Sequence, residues 1–297
     1  MTQTTEVFSA RSWLFAPGDS EKKMAKAAAS AADIALFDLE DAVAEAEKPN
    51  ARALVLAFLK AAPLEQRARL WVRINPLQGP HALADLAAVM PGQPGGIVLP
   101  KTRSGADLVV LDHYLSVLEV ANGIEVGSTK VMPLVTETAE GMLNTGSYIG
   151  APRLVAMTWG AEDLADELGA SENKNVDGSY GFTYELARSL CLVGAAAARV
   201  AAIDTIQGDF RDLDGLRARA VQCRRAGFRG MLAIHPAQVE VINAAFQPSA
   251  EEIAQAQEIV DLFAANPGVG AIGYQGGMLD RPYLARAQQL LKLAGRA

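Results

Sequence analysis

The stretches VMPLVTETAEG (131–141) and RLVAMTWGAEDLADELG (153–169) decide the fold. Each opens with an apolar run typical of a buried parallel strand, passes through a polar turn and leads into a helical pattern. A carboxylate follows each strand, Glu137 in the first stretch and Asp163 in the second. Two such units with acids in corresponding places predict an α/β fold whose carboxylates meet at one edge of the sheet.

The same alternation of apolar runs and helical patterns extends along most of the chain. Candidate strands lie at 12–16, 33–39, 70–74, 96–100, 131–135, 154–158, 200–204 and 230–234, and helical patterns at 20–31, 44–61, 105–121, 182–198 and 212–226. Eight strands alternating with helices, at roughly 30 residues a unit, predict a (β/α)8 TIM barrel over residues 1–247. The 297 residues, of which 50% are hydrophobic, suffice for so large a core.

Residues 248–297 have no place in an eight-unit barrel. The segment PSAEEIAQAQEIVDLFAAN (248–266) has the pattern of an amphipathic helix, with the capping-box pair Ser249 and Glu252 at its start. A glycine-rich segment that includes Gly276 and Gly277 then leads into a final helix. We expect this extension to be either packing decoration or a mobile lid over the barrel mouth.

Charge and composition exclude several classes of function. The formal net charge is −7 without a long basic block, so nucleic-acid binding is not expected as the main role. No uncharged apolar stretch reaches about 18 residues, so no membrane span is expected. Residues 1–13 have neither a signal-peptide nor a transit-peptide pattern. Cys191 and Cys223, without clustered metal ligands, are expected to be reduced, packed thiols of a cytoplasmic protein.

Polar residues follow every predicted strand. They are Asp19, Glu40 with Asp41, Asn75, Lys101, Glu137, Asp163, Asp204 and His235. Any one of them has an alternative role as a helix cap or turn former. Together they favour an active site, because the carboxyl ends of the strands carry the active site in TIM barrels.

Glu137 and Asp163 are the candidate metal ligands. Two carboxylates completed by water and substrate oxygens suit Mg²⁺, with Mn²⁺ as a possible substitute, and no histidine lies near them in sequence to suggest zinc. Glu40 and Asp41 are expected to lie close enough to hold the waters of the ion.

The start of the helix after Trp159 has two interpretations. Glu162 and Asp163 have the alternative role of stabilising the positive end of that helix. The same helix start would offer the backbone N–H groups of Gly160, Ala161 and Glu162 to a substrate carboxylate.

Arg73 and Lys101 are cations at the ends of two predicted strands. Arg73 is expected to clamp a carboxylate or a developing oxyanion, and its alternative role is a structural ion pair with Asp38 or Glu40. Lys101 suits either a Schiff base or a fixed cation, and neighbouring acids would favour the second because they hold its proton.

Two further candidates lie away from these strands. Lys22, Lys23 and Lys26 crowd the first turns of a helix, where a bound phosphate would offset the unfavourable charge, although a solvated lysine face is the alternative. Asp280 is either a surface acid at the start of the last helix or an acid–base group that a lid delivers to the barrel mouth.

Ten segments together resemble the HpcH/HpaI aldolase family, in the citrate lyase β-subunit-like branch that includes malyl-CoA and citramalyl-CoA lyases. They cover nearly the whole chain in order: RSWLFAPGDSEKKMAKA, DLEDAV, VRIN, VLPK, TETAEG, WGAEDLADELG, AIDT, GDFRDLDGL, GFRGMLAIHPAQVEVINAAFQPS and GGMLDRP. The resemblance implies a TIM barrel that holds Mg²⁺ at Glu137 and Asp163, with Arg73 on the substrate and Glu40 and Asp41 as support for the metal's waters.

The resemblance also implies a substrate class. It suggests acyl-CoA thioesters, with the CoA moiety near Phe15, Pro17, Gly18 and Lys23, and a homotrimer or hexamer in which Asp280 reaches the active site of a neighbouring subunit. Because shorter family members lack the tail, its presence favours a stand-alone lyase over a subunit of a citrate lyase complex.

The expected reaction is a Mg²⁺-dependent cleavage of a 3-hydroxy-3-carboxyacyl-CoA, such as citramalyl-CoA or malyl-CoA, to a 2-oxo acid and acetyl-CoA. Three alternatives remain, which are a malyl-CoA thioesterase, an aldolase that works through Lys101, and a non-catalytic subunit of a larger complex. No residue identifies the acyl group, because discrimination of one methylene is worth only about 1–3 kcal/mol.

Overall fold

The computed structural model of the chain describes residues 10–295, which divide into two compact units, one ending at Asn243 and one beginning at Ala244. Residues 1–9 lie outside the described part. They make up most of the stretch 1–13, for which neither a signal peptide nor a transit peptide is predicted. The first unit contains eight strands, β1 (Ser12–Pro17), β2 (Ile34–Asp38), β3 (Leu70–Arg73), β4 (Gly96–Leu99), β5 (Lys130–Pro133), β6 (Ala156–Met157), β7 (Ala201–Asp204) and β8 (Gly230–Ala233).

Helices occupy the connections between the strands. In chain order they are α1 (Glu21–Ala28), α2 (Lys48–Ala61), α3 (Leu64–Arg67), α4 (Ala82–Val89), α5 (Gly105–Ala121), α6 (Ala139–Leu143), α7 (Glu162–Glu167), α8 (Phe182–Ala198), α9 (Leu213–Ala226) and α10 (Pro236–Ala245). All eight predicted strands form within two residues of their predicted ends, and the five predicted helical patterns are helices.

The eight strands form a nearly closed parallel barrel. Their order is β5-β4-β3-β2-β1-β8-β7-β6, and each neighbouring pair is parallel. Two isolated parallel bridges, Val131 with Leu154 and Leu134 with Thr158, join β5 to the chain on either side of β6. The predicted TIM barrel is therefore confirmed, and its strands point their carboxyl ends to the same side.

Large apolar side chains fill the barrel interior. Trp13 of β1 and Trp71 of β3 are fully buried and meet edge to face, with ring centroids 4.9 Å apart. Gly96 of β4 leaves the space that Trp71 needs, because a Cβ at that position would lie 2.5 Å from the indole ring. Such close packing makes the barrel a rigid frame for the residues at its rim.

The second unit contains α11 (Ala250–Ala265), α12 (Arg281–Leu293) and a two-stranded hairpin of β9 (Ala271–Tyr274) and β10 (Gly277–Asp280). The predicted capping box of Ser249 and Glu252 is present. The hairpin is not predicted from the sequence. Gln275 and Gly276 both have positive φ and form its two-residue turn, so Gly276 serves as a turn residue.

Two expectations about composition can be compared with the structure. Cys191 and Cys223 are both buried and form no disulfide, which confirms the predicted packed thiols. Among residues 10–295, none of the helices has the length and apolar character needed to span a bilayer.

Arg153 fixes the chain just before β6. Its side chain is 3% exposed and donates hydrogen bonds to Asp112, Ser116 and Glu119 of α5. Glu119 is itself buried and also accepts from the backbone N–H groups of Gly127 and Thr129. This network ties α5 to the strand that leads to Asp163.

Replacing Arg153 by Met should lower the free energy of unfolding by roughly 3 kcal/mol, because Glu119 would be left as a buried carboxylate without its cation. Urea denaturation measures the change. Arg103→Met is the matched control, since Arg103 is 54% exposed and 3.8 Å from Glu140, and we expect a change below about 0.5 kcal/mol. Equal losses for the two variants would contradict this role of Arg153.

Candidate active site

A pocket opens at the carboxyl ends of the barrel strands. Its lining includes the predicted residues Phe15, Pro17, Asp41, Arg73, Glu137, Gly160, Ala161, Glu162 and Asp163. The remaining lining residues are Asp38, Ala42, Leu134, Trp159, Tyr180, Thr205, Ile206, Leu232 and Ile234. The pocket therefore combines a cluster of carboxylates and one guanidinium with a wall of apolar and aromatic side chains, as ligand sites commonly do.

Arg73, at the end of β3, is held by two acids of the β2 end. Its Nε and Nη2 donate to the two carboxylate oxygens of Asp38 at 2.7 and 2.6 Å, and Nη1 lies 2.7 Å from Glu40 Oε2. Burial alone would lower the pKa of Arg73, but the charges of Asp38 and Glu40 outweigh it and raise that pKa. The guanidinium thus stays charged and fixed while it lines the pocket, so the structural ion pair considered for it is present.

Lys101 is a fixed cation among the acids. Its Nζ lies 2.8 Å from Glu40 Oε1, 2.9 Å from Asp163 Oδ1 and 3.5 Å from Asp41 Oδ1. Burial alone would lower the pKa of Lys101, but the hydrogen bonds and charges of Glu40 and Asp163 raise it above its ordinary value. An ammonium that keeps its proton is a poor nucleophile, which disfavours the Schiff-base alternative.

Glu137 is buried at the centre of the cluster. Its Oε2 accepts a hydrogen bond of 2.7 Å from the backbone N–H of Lys101. Burial, and then the negative charges of Asp163 and Glu40, raise the pKa of Glu137 well above its ordinary value. Burial likewise raises the pKa of Glu40 to about 7, although the charges of Arg73 and Lys101 act in the opposite direction. Both shifts show that burial disfavours the ionised forms of these two carboxyl groups.

The residues present fit a magnesium ion. Within residues 10–295 no three His, Cys, Asp or Glu side chains converge as a ready-made metal site. An ion would instead be held by Glu137, Asp163, water and substrate oxygens, which is how Mg²⁺ usually binds in enzymes. Glu40 Oε2 is buried without a hydrogen-bond donor, because Arg73 approaches it without hydrogen-bond alignment. That oxygen fits a role in accepting from a metal-bound water.

Among the predicted site residues of the first unit, Glu40, Gly18 and Lys23 do not line the pocket. Glu40 instead pairs with Arg73 and Lys101. Gly18 packs against Asp38, since a Cβ there would lie 2.8 Å from the Asp38 carbonyl oxygen. Lys23 is exposed on α1 together with Lys22 and Lys26. Asp280 lies in the second unit, at the N-cap position of α12, where its side chain makes no capping hydrogen bond.

A buried network behind the pocket is absent from the sequence-based prediction. Asp204, which ends β7, is fully buried and accepts a 2.6 Å hydrogen bond from Trp159 Nε1. Its other oxygen, Oδ2, accepts from the thiol of Cys223. Arg188 forms an ion pair with Oδ1 and Arg219 forms one with Oδ2. Asp204 thus holds Trp159 from behind. The sequence signal was the position of Asp204 at a strand end, but a strand end alone does not tell a pocket residue from a buried support.

Tyr180 is a lining residue that sequence reasoning missed. Its ring lies edge to face with Trp159, with centroids 5.3 Å apart, and the guanidinium of Arg219 lies over it at 5.3 Å. It falls in the connection between α7 and α8, which carries no periodic pattern. Long connections on the active face of a barrel commonly reach the site, which is the one signal that was available.

The family model for HpcH/HpaI aldolase/citrate lyase matches residues 11–236. The chain belongs to this family. It is 36% identical to a (3S)-malyl-CoA thioesterase of Cereibacter sphaeroides (strain KD131), over 96% of this chain and 94% of the relative. It is similar to the crystal structure of CitE from Mycobacterium tuberculosis in complex with magnesium, acetoacetate and coenzyme A, with a TM-score of 0.82 and 35% identity over 97% of this chain and 99% of that chain.

A third relative corrects the expectation drawn from the tail. The chain is 32% identical to the citrate lyase subunit beta of Haemophilus influenzae, over 96% of this chain and 96% of the relative. A match of that extent includes most of residues 248–297. The expectation that the tail separates stand-alone lyases from citrate lyase β-subunits is therefore wrong, because a subunit of such a complex has a comparable length.

Gly160 gives Glu137 the space it occupies, because a Cβ at position 160 would lie 2.7 Å from Glu137 Oε1. Replacing Gly160 by Ala should displace that carboxylate and weaken Mg²⁺ binding, measured by titration calorimetry, by about tenfold. Gly208→Ala is the control, since a Cβ at this position after β7 meets no atom within 4 Å. Equal affinity of the two variants for Mg²⁺ would contradict the placement of the ion at Glu137.

Proposed function

We propose that the protein is a Mg²⁺-dependent carbon–carbon lyase that cleaves a 3-hydroxy-3-carboxyacyl-CoA, such as citramalyl-CoA or malyl-CoA, to a 2-oxo acid and acetyl-CoA. The observation that carries the proposal is the pocket in which Glu137 and Asp163 lie beside the fixed guanidinium of Arg73. The magnesium, acetoacetate and coenzyme A in the related CitE structure support it, since they combine a divalent ion, an oxo acid and CoA in one family member.

Glu137 and Asp163 would hold the ion, and the remaining positions would go to water and substrate. When bound, magnesium supplies a Lewis acid for the hydroxyl and carboxylate oxygens of the substrate. The backbone at Gly160 and Ala161 lines the pocket beside these acids and would help to position the substrate carboxylate. The apolar residues Leu134, Trp159 and Leu232 also line the pocket and would help to exclude water from it.

Cleavage breaks the bond between the hydroxyl-bearing carbon and the carbon next to the thioester. The hydroxyl proton would pass to Glu40 through a water held at its buried oxygen, which has no hydrogen-bond donor from the protein. The electron pair of the broken bond moves into the acetyl-CoA enolate while the hydroxyl carbon becomes the carbonyl of the 2-oxo acid. Asp41 lies beside Lys101 on the same rim and would help Glu40 to hold water.

Arg73 would stabilise the enolate oxygen. Asp38 accepts from Nε and Nη2, and Nη1 lies against Glu40, which leaves the second N–H of Nη2 for a substrate oxygen. Because two carboxylates already hold the guanidinium, little reorganisation is needed when negative charge develops on the enolate.

Asp280 would exchange the proton at the enolate carbon. Its carboxylate makes no capping bond to α12, so it is not committed to stabilising that helix. We place it in the active site of a neighbouring subunit of a homotrimer or hexamer, and the CoA moiety along Phe15, Pro17, Gly18 and the exposed Lys23.

Thioester hydrolysis is the second candidate function. The observation that favours it is the 36% identity to a (3S)-malyl-CoA thioesterase over nearly the whole chain. The same metal and acids would then act on the thioester carbonyl, with water as the nucleophile. The products distinguish the two reactions, because hydrolysis of malyl-CoA releases free malate and CoA whereas cleavage releases glyoxylate and acetyl-CoA.

The purified protein should cleave at least one of malyl-, citramalyl-, methylmalyl- and citryl-CoA, and EDTA should abolish the activity. Asp280→Asn should lower kcat by roughly 10²–10⁴, because the proton transfer to carbon loses its acid. Detection of the 2-oxo acid and of the shortened acyl-CoA measures the reaction. Asp261→Asn, an exposed acid of α11, is the control and should leave kcat unchanged.

Four results would count against parts of this proposal. Full activity in EDTA would exclude the role of the metal, and an unaffected Asp280→Asn would exclude the acid–base role. Borohydride trapping of a substrate on Lys101 would favour the aldolase alternative. Absence of any activity without co-purifying partner chains would favour a subunit of a larger complex.

A further inference from the structure

Lys101 contacts more of the acidic cluster than any other described residue does. Its backbone N–H donates to Glu137 Oε2 at 2.7 Å, and its Nζ donates to Glu40 Oε1 at 2.8 Å. The same Nζ forms ion pairs with Asp163 Oδ1 and, at longer distance, Asp41 Oδ1. One residue thus reaches both candidate metal ligands and both of the acids expected to support them.

The backbone of Lys101 is held in an unusual conformation that permits these contacts. Its φ is +51°, in the left-handed region that residues with a side chain seldom adopt. Strained conformations of this kind persist where the surrounding structure enforces them, often at functional sites. Here the conformation directs the amide to Glu137 while the side chain reaches Glu40 and Asp163.

Arg73 and Lys101 pair with different sets of acids at the rim. Arg73 is already engaged with Asp38 and Glu40. Among the described residues, the ion-pair partner of both Asp163 and Asp41 is Lys101. A divalent ion bound by Asp163 would therefore compete with the ammonium for the same carboxylate, and the two positive charges would repel each other.

The side chain of Lys101 has a route away from Asp163. It is 30% exposed, and a lysine stem has enough rotatable bonds to move its ammonium into solvent or wholly onto Glu40. The carboxylate of Asp163, which is 29% exposed, remains on α7. The exchange of one cation for the other thus needs movement of a single side chain.

We propose that Lys101 is a tethered counter-ion of the metal site, which neutralises Asp163 in the metal-free protein and is displaced from it when Mg²⁺ binds. Lys101 then sets the Mg²⁺ concentration at which the site fills. The inference rests on the proposed function in one respect, since it takes Glu137 and Asp163 as the metal ligands. The opposite role, in which Lys101 orients Asp163 for the ion, predicts a change of Mg²⁺ affinity in the opposite direction.

Titration calorimetry with Mg²⁺ alone, without substrate, tests the proposal together with thermal melting in EDTA and in Mg²⁺. We expect Lys101→Met to bind Mg²⁺ about tenfold more tightly, because the competing charge is gone. Its melting temperature should be lower than that of the wild type in EDTA and should rise more on addition of Mg²⁺. If this variant does not fold, Lys101→Asn serves instead, because Asn tolerates the left-handed region.

Two matched variants show whether the change in Mg²⁺ affinity comes from the charge at position 101 or only from the change in net charge. Lys101→Arg keeps the cation and should bind Mg²⁺ within about threefold of the wild type. Lys22→Met removes the same charge and the same stem from the exposed face of α1, and it should leave the Mg²⁺ affinity unchanged.

The results distinguish failure of this inference from failure of the proposed function. Wild type that binds Mg²⁺ while the neutral Lys101 variants bind it equally or more weakly would overturn the counter-ion role alone. Failure of the wild type and all variants to bind Mg²⁺ would overturn both the counter-ion role and the metal dependence. Tighter binding by Lys22→Met, equal to that of Lys101→Met, would also overturn it, because the effect would then be one of net charge.

Discussion

The structure of the site depends on the repulsion among carboxylates at the carboxyl end of one barrel. Glu40, Glu137 and Asp163 act on one another strongly enough that burial and mutual charge raise the pKa of Glu137 well above its ordinary value. Like charges share a buried place only when cations offset them or one of them takes up a proton. Among the described residues, Arg73 and Lys101 are the cations that pair with these acids. A divalent ion would add further positive charge beside them.

The barrel is what makes this arrangement possible. Parallel strands bring residues that are more than a hundred positions apart in sequence, from Glu40 to Asp163, to one rim. Packing then fixes the details: Gly160 makes room for Glu137, and Asp204 holds Trp159 from behind through a buried hydrogen bond. Arg73 is clamped by Asp38 and Glu40, so it lines the pocket in a fixed orientation. Such preorganisation is the main contribution that a protein makes to stabilising developing charge.

Much of the barrel could be predicted from the sequence, because strand periodicity and strand-end acids are local signals. The strands before Glu137 and Asp163 form where the apolar runs predict them, and Arg73 and Lys101 lie at the rim as expected. Other features depend on contacts between distant residues. The buried role of Asp204 needs Trp159, Arg188 and Cys223 to meet it, and none of these pairings is encoded in spacing. The hairpin of β9 and β10 is not predicted from the sequence, because each strand has only four residues. Its glycines Gly276 and Gly277 favour a mobile segment instead.

The most direct test of the central claim is a crystal structure of the protein with Mg²⁺ and a 2-oxo acid such as pyruvate. The account predicts one ion bound by the carboxylates of Glu137 and Asp163, with the oxo acid completing its coordination and Arg73 facing the reacting end of that ligand. An ion bound elsewhere on the chain, or an oxo acid in the pocket without any ion at these two acids, would contradict it.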